Sequence, residues 1–338
     1  MEINQLIDTA KELVNPSKGI LAADESSGTI KKRFDSINVE STESTRRDYR
    51  EMLFRAPESS NYISGVILYE ETLSQSSSDG TSMVDILVNQ GIIPGIKVDT
   101  GAKPLAGAPG ETVTEGLDGL RERLQSYQNL GARFAKWRAT IGIGKSIPSD
   151  YCIEVNAHAL ARYASLCQEV GLVPIVEPEV LMDGTHTIYE CKDATKRTLE
   201  KVYEALKAHR VALEGTLLKP NMVLSGKEAL ERATPDEVAM HTIDCFMGCV
   251  PPEVPGIVFL SGGQADLESV INLNAINVLA QSRSAPWELS YSYGRGLQAA
   301  PLKAWSGDPD NLLLAQKAYL KRCQEASAAR QGKFENAD

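Results

Sequence analysis

Continuous apolar runs alternate along this chain with stretches whose apolar positions recur every three or four residues. The runs are GILAADES (19–26), YISGVILYEE (62–71), IIPGIKVD (92–99), ARFAKWRAT (132–140), LVPIVEPE (172–179), LEGTLLKP (213–220), GIVFLSGG (256–263) and PWELSYSYG (286–294). Most are continuous rather than alternating, the pattern of strands covered on both faces, as in a parallel sheet. Helical patterns lie between most of them. Leu117, Leu120, Leu124 and Tyr127 form one apolar stripe closed by Gly131. Ile153, Ala157, Leu160, Ala164 and Cys167 form another, closed by Gly171. Thr234-Pro235-Asp236-Glu237 sets a cap, an N1 proline and a capping-box glutamate in order. The first residues predict an amphipathic helix with Ile3, Leu6, Ile7, Ala10, Leu13 and Val14 on one face, and Leu312 to Arg330 predict a closing helix.

Eight strands alternating with helices predict an α/β fold, a single (β/α)8 barrel with extra N- and C-terminal helices. The expectation is one domain over residues 1–338, with 335–338 a short polar tail. A doubly wound sheet is the alternative, but no Gly-x-Gly-x-x-Gly turn follows an early run.

Composition narrows the function. The 338 residues exceed the about 250 of a typical barrel, leaving room for the extra helices. A net charge of −10 argues against nucleic acid as a main partner. No apolar run approaches the ~20 residues of a membrane span, and the acidic–basic amphipathic start is not a signal peptide. Six scattered cysteines, of which only Cys245 and Cys249 are close, predict reduced thiols and a cytoplasm-like compartment.

In such a barrel, chemistry belongs at the C-terminal ends of the strands. Those ends carry Asp24-Glu25-Ser26, Lys97 with Asp99, Lys136-Trp137-Arg138, Glu177-Pro178-Glu179, Lys219, Ser261-Gly262-Gly263 and Tyr293-Gly294-Arg295. A single such residue is an ordinary rim charge. Seven ends converging on one mouth demand mutual pairing or a charged ligand, because unpaired buried charges are costly. Lys136 and Arg138 share one strand face with Trp137 opposite. Lys219 ends its run immediately before Pro220, half out of the apolar interior, where amines form Schiff bases with carbonyl substrates. A second ammonium, Lys136, disfavours protonation of Lys219, and Glu177 and Asp24 are candidate acid and base.

Two further places suit phosphate. Ser261-Gly262-Gly263 offers a hydroxyl and open N–H groups, and Arg295 a forked guanidinium. Ser26-Ser27-Gly28-Thr29 with Lys31, Lys32 and Arg33 forms a second cationic patch, expected on the opposite side of Lys219. Together they suggest a substrate with phosphates at both ends.

These residues resemble the class I (Schiff-base) fructose-1,6-bisphosphate aldolases, from about Leu6 to Phe334. The segments that carry the resemblance are GILAADES, GIKVD, KWR, ARYASLCQEVGLVPIVEPE, LEGTLLKPNM, FLSGGQ, INLNAIN and SYGR. It implies that Lys219 forms the imine and that Glu177, helped by Glu179, is the acid/base for dehydration. Lys136 would suppress protonation of Lys219 and polarise the carbinolamine, and Asp24 would act on the C4 hydroxyl in C–C cleavage. Lys97 and Arg138 would contact the hydroxyl chain and distal phosphate. Ser261, Gly262 and Arg295 would bind the phosphate of the dihydroxyacetone half, with Ser26, Thr29, Lys32 and Arg33 on the other phosphate side. The resemblance also implies sugar-phosphate substrates, no cofactor, no metal and a homotetramer. Animal members end in a tyrosine implicated in enamine protonation. This sequence ends Phe334-Glu335-Asn336-Ala337-Asp338, which leaves the proton donor open.

His158, His186, His209 and His241 stand far apart in sequence without ligand spacing, the expectation for a metal-independent reaction. The rivals are another Schiff-base barrel of transaldolase type, against which the second phosphate patch speaks, and a scaffold that has lost catalysis.

Overall fold

Eight parallel strands close on themselves in the computed structural model, which describes residues 3–335. In chain order the strands are β1 (Gly19–Ala23), β2 (Ile63–Leu68), β3 (Ile93–Lys97), β4 (Gly101–Pro104), β5 (Thr112–Glu115), β6 (Phe134–Ile141), β7 (Val173–Val180), β8 (Leu217–Leu218), β9 (Gly256–Phe259) and β10 (Glu288–Tyr293). The barrel runs β1-β10-β9-β8-β7-β6-β3-β2 and back to β1. The (β/α)8 expectation holds, and every predicted run supplies one barrel strand.

The interior is layered by the two-residue alternation of strand side chains. Ile20, Ile67, Phe134, Val173, Ile175, Leu217 and Val258 fill the lower barrel. The helix Ile3–Leu13 stoppers that end with Leu6, Ala10 and Leu13, joined by Val14. Ile3, predicted on the same face, is exposed instead. Phe134 fits inside because Gly95 opposes it: a Cβ there would meet the ring at 2.3 Å. One step further along the same inward face, Phe134 is followed by Lys136, Ile175 by Glu177 and Leu217 by Lys219. Apolar layers therefore give way to charged ones toward the C-terminal mouth.

The capping box at Thr234 forms, with Thr234 N–H donating to Glu237 Oε2 at 2.8 Å and opening the helix Pro235–Cys249. The closing helix spans Leu312–Arg330 as predicted. Leu117 falls outside its predicted helix, which begins at Leu120 after Gly119 in the left-handed region (φ 64°). The run 213–220 is mostly not strand: Leu213–Gly215 form a 3-10 turn, held by Gln168, which donates to the carbonyls of Ala212 and Gly215. The antiparallel hairpin β4–β5 was not predicted. It braces β6, where Thr114 Oγ1 donates to the Arg138 carbonyl at 2.8 Å.

Cys245 is buried and Cys249 half-buried on one helix, and all six cysteines are free thiols. The histidines are less scattered than their spacing implied. His158, on one helix, and His209, which caps the end of the helix Ile188–Ala208, meet edge to face with ring centroids 5.0 Å apart. Of the predicted polar tail, residues 336–338 lie outside the described part. No described helix is long and apolar enough to cross a membrane.

Candidate active site

The charged layer opens into a cavity of about 610 Å³ at the strand C-termini. On its floor, four ionisable side chains alternate in sign. Lys136 Nζ lies 2.7 Å from Asp24 Oδ2 and 3.2 Å from Glu177 Oε2, and Lys219 Nζ lies 3.1 Å from Glu177 Oε1. Glu177 thus bridges the two lysines. Lys136, Glu177 and Lys219 are each under 5% exposed, so the pairing is what makes their burial tolerable. The approach of Lys136 to Glu177 Oε2 is off hydrogen-bonding geometry, which leaves that buried oxygen without a donor.

Mutual charge overrides burial throughout this row. Burial would raise the Asp24 carboxyl, but the Lys136 and Lys219 ammoniums hold it well below the carboxylate range. Glu177 is likewise pushed up by burial and brought below its ordinary value by Lys136, Lys219 and Arg138. Burial would lower Lys136, yet Asp24 and Glu177 raise it well above the lysine range, fixing it as an ammonium.

Around this floor stands a rim of cations, most with a carboxylate of their own. Lys97 Nζ is 2.6 Å from Asp99 Oδ1. Arg138 Nε pairs closely with Glu179 Oε2, and Arg33 Nη1 lies 2.6 Å from Glu25 Oε1. Arg295 opens the helix Arg295–Trp305 directly after Gly294, and it lines the cavity with Ser261 and Gly262. At Gly262 the backbone passes close to Glu179: a Cβ there would meet Glu179 Oε1 at 2.9 Å and displace that side chain.

Nearly all the predicted site residues meet here: Asp24, Ser26, Thr29, Arg33, Lys97, Lys136, Arg138, Glu177, Glu179, Lys219, Ser261, Gly262 and Arg295 all line the cavity. Lys32 does not; it sits on the exposed face of the helix Ser27–Asp35. Glu179 is engaged with Arg138. The Arg33 guanidinium reaches within 3.8 Å of where a Cβ on Gly294 would stand, beside Arg295. Tyr293, at the predicted end of the eighth run, is core: it is fully buried and its hydroxyl donates to the Ser269 carbonyl. Ser292 takes the cavity position instead, with a buried hydroxyl lacking any partner. Sequence reasoning missed it, although the alternation Ser290-Tyr291-Ser292-Tyr293 carries the signal, small polar residues inward and tyrosines outward. Among the described residues, no group of three His, Cys, Asp or Glu side chains is placed to hold a metal ion.

Fold and site together define a barrel enzyme with a buried amine–carboxylate row beneath a rim of cations. The family model described as class-I fructose-bisphosphate aldolase matches residues 5–338. A Xanthomonas campestris pv. campestris protein described as "Probable fructose-bisphosphate aldolase class 1" is 55% identical over 335 residues, 99% of each chain. The Arabidopsis thaliana cytosolic fructose-bisphosphate aldolase 5 is 54% identical over 98% of this chain and 92% of its own. The fructose-bisphosphate aldolase of Plasmodium falciparum, crystallised with TRAP and a small-molecule inhibitor, superposes with a TM-score of 0.97 at 47% identity, covering 99% of this chain and 96% of that one. The chain belongs to the class I fructose-bisphosphate aldolase family, and it is a lyase.

Proposed function

We propose that this protein cleaves fructose 1,6-bisphosphate reversibly to dihydroxyacetone phosphate and glyceraldehyde 3-phosphate, through an imine on Lys219 and without a metal. The observation that carries this reading is the Asp24–Lys136–Glu177–Lys219 row, which joins a buried amine to an acid/base within 3.1 Å. Lys219 passes its ammonium proton to Glu177, and the free amine attacks the ketose carbonyl. Loss of that positive charge removes one of the cations that depress Glu177, so the carboxyl gains proton affinity as the carbinolamine forms. Glu177 then returns the proton to the departing hydroxyl, which leaves as water. Lys136 stays an ammonium and polarises that oxygen.

Asp24, held ionised, takes the proton of the C4 hydroxyl. The C3–C4 bond breaks, its electrons pass into the imine, and glyceraldehyde 3-phosphate departs. Protonation of the resulting enamine at C3 and hydrolysis of the imine release dihydroxyacetone phosphate and restore Lys219. Arg295 with Ser261 and Gly262, and Arg33 with Ser26 and Thr29, hold the phosphates. Lys97 and Arg138 meet the hydroxyl chain, and the unpartnered Ser292 hydroxyl is available to a substrate oxygen. The cytosolic Arabidopsis relative favours a cytoplasmic location, and the resemblance a homotetramer.

Comparing turnover of fructose 1,6-bisphosphate and fructose 1-phosphate in the presence of a chelator tests the substrate. We expect kcat/KM at least about tenfold higher for the bisphosphate, the contribution of one extra charge-assisted phosphate contact. Equal values, or loss of activity to the chelator, would contradict the proposal.

A further inference from the structure

Next to Asp24 stands a carboxylate to which the mechanism gives no task, Glu25. Its side chain is only 4% exposed. Oε1 accepts from Arg33 Nη1 at 2.6 Å and from Gln298 Nε2 at 2.8 Å, while Oε2 is buried with no partner. Its backbone carbonyl accepts from Arg50 Nη2 at 2.8 Å. Arg50, from the helix Glu43–Phe54, is itself buried, reaches Glu71 at 3.4 Å, and leaves its Nε without a partner. A donor and an acceptor on touching residues are therefore both idle, although each unsatisfied buried group carries a desolvation cost. Arg33 meanwhile lines both the main cavity and a smaller one of about 350 Å³, which Gln298 and Arg295 also line.

We infer that Glu25 is a positioning residue with two holders, Arg33 while the cavity is empty and Arg50 once a substrate phosphate has claimed Arg33. The inference rests on the reading above that Arg33 binds phosphate. Without a second holder, the transfer of Arg33 to phosphate would strand a buried carboxylate, offsetting much of the gain. With it, Oε2 turns to the idle Nε of Arg50, and Gln298 stays bonded to Oε1. The charges agree: Arg33, Arg46 and Arg50 face Glu25 and Glu71, leaving one positive charge for the arriving anion.

Steady-state kinetics and inhibition by inorganic phosphate test this. Glu25→Ala should raise KM for fructose 1,6-bisphosphate and the phosphate inhibition constant about tenfold, with kcat within about threefold, the share of one charge-assisted hydrogen bond. Glu25→Gln is nearly isosteric and keeps the Oε1 acceptor, so it should fold and lose less. Arg50→Lys should raise KM alone but add nothing in the Glu25→Gln background, where no carboxylate awaits a second holder. An unchanged KM in Glu25→Ala, additive effects in the double variant, or kcat and KM failing together with a lowered Tm would each overturn the inference. Phosphate inhibition unchanged by Arg33→Ala would instead sink the reading beneath it. That result is distinguishable because substrate-dependent borohydride labelling of Lys219 would continue.

Discussion

The floor and the rim of the cavity solve the problem of clustered charge differently. On the floor, charges are shared: Lys136 serves two carboxylates and Glu177 two lysines, with Lys136, Glu177 and Lys219 buried and Asp24 14% exposed. On the rim, Lys97, Arg138 and Arg33 each have a private carboxylate and greater exposure, 42% for the Arg138 side chain against 4% for Lys136. Shared buried charges are coupled, so moving one proton alters every neighbour's proton affinity, which suits acid–base chemistry. Pairs whose cation is part-exposed, at 17% for Lys97, 25% for Arg33 and 42% for Arg138, can turn that cation toward an incoming anion, which suits binding. The floor should therefore govern kcat and the rim KM.

The largest effect expected from breaking this contrast is on the floor. Glu177→Gln should lower kcat by about a hundredfold or more, with KM changed far less, as removal of a general acid/base does. A KM effect without a kcat effect would place Glu177 with the rim.

Lys136→Met should appear in stability as well as rate. Asp24 and Glu177 are held below their ordinary values, so their stabilising contribution is complete above the ordinary carboxylate range near pH 4 and is lost as pH falls toward the depressed folded values. Lys136 is raised, so its contribution is complete below the ordinary lysine value near 10.4 and is lost as pH rises through the folded value. Without Lys136, burial pushes both carboxyls upward, and protonation then relieves the fold. Thermal melts should show the variant about 5–10 °C below wild type at pH 7, with the gap narrowing toward pH 3. A gap independent of pH would mean the row is not electrostatically coupled.

Smaller effects belong to the rim. Arg295→Ala should raise KM for fructose 1,6-bisphosphate about tenfold and leave kcat within about threefold. Lys32→Ala, on an outward helix face, should stay within about twofold of wild type in both parameters. A large Lys32 effect would restore that residue to the phosphate site.

Much of this was legible because strand alternation and strand ends are local properties. The inward position of Lys136 follows from that of Phe134 two residues earlier, and Lys219 stands directly after its short strand and immediately before Pro220. What was not legible depends on tertiary placement. The spacing of Lys32 and Arg33 cannot reveal which of two adjacent cations turns inward on a helix whose axis is set by packing. The approach of Arg33 to Gly294 joins segments more than two hundred residues apart. Glu25 was visible as a strand-end charge, but its partners Arg33, Gln298 and Arg50 come from three helices, so no local pattern announced them.

Whether Lys219 carries the covalent chemistry can be read most directly from borohydride reduction in the presence of fructose 1,6-bisphosphate, followed by mass spectrometry of the peptide around Lys219. Irreversible inactivation is expected, with a reduced triose- or hexose-phosphate adduct on Lys219 that is absent without substrate and absent in Lys219→Ala. An active enzyme that borohydride leaves unlabelled, or a label on Lys136 with Lys219 untouched, would contradict that role.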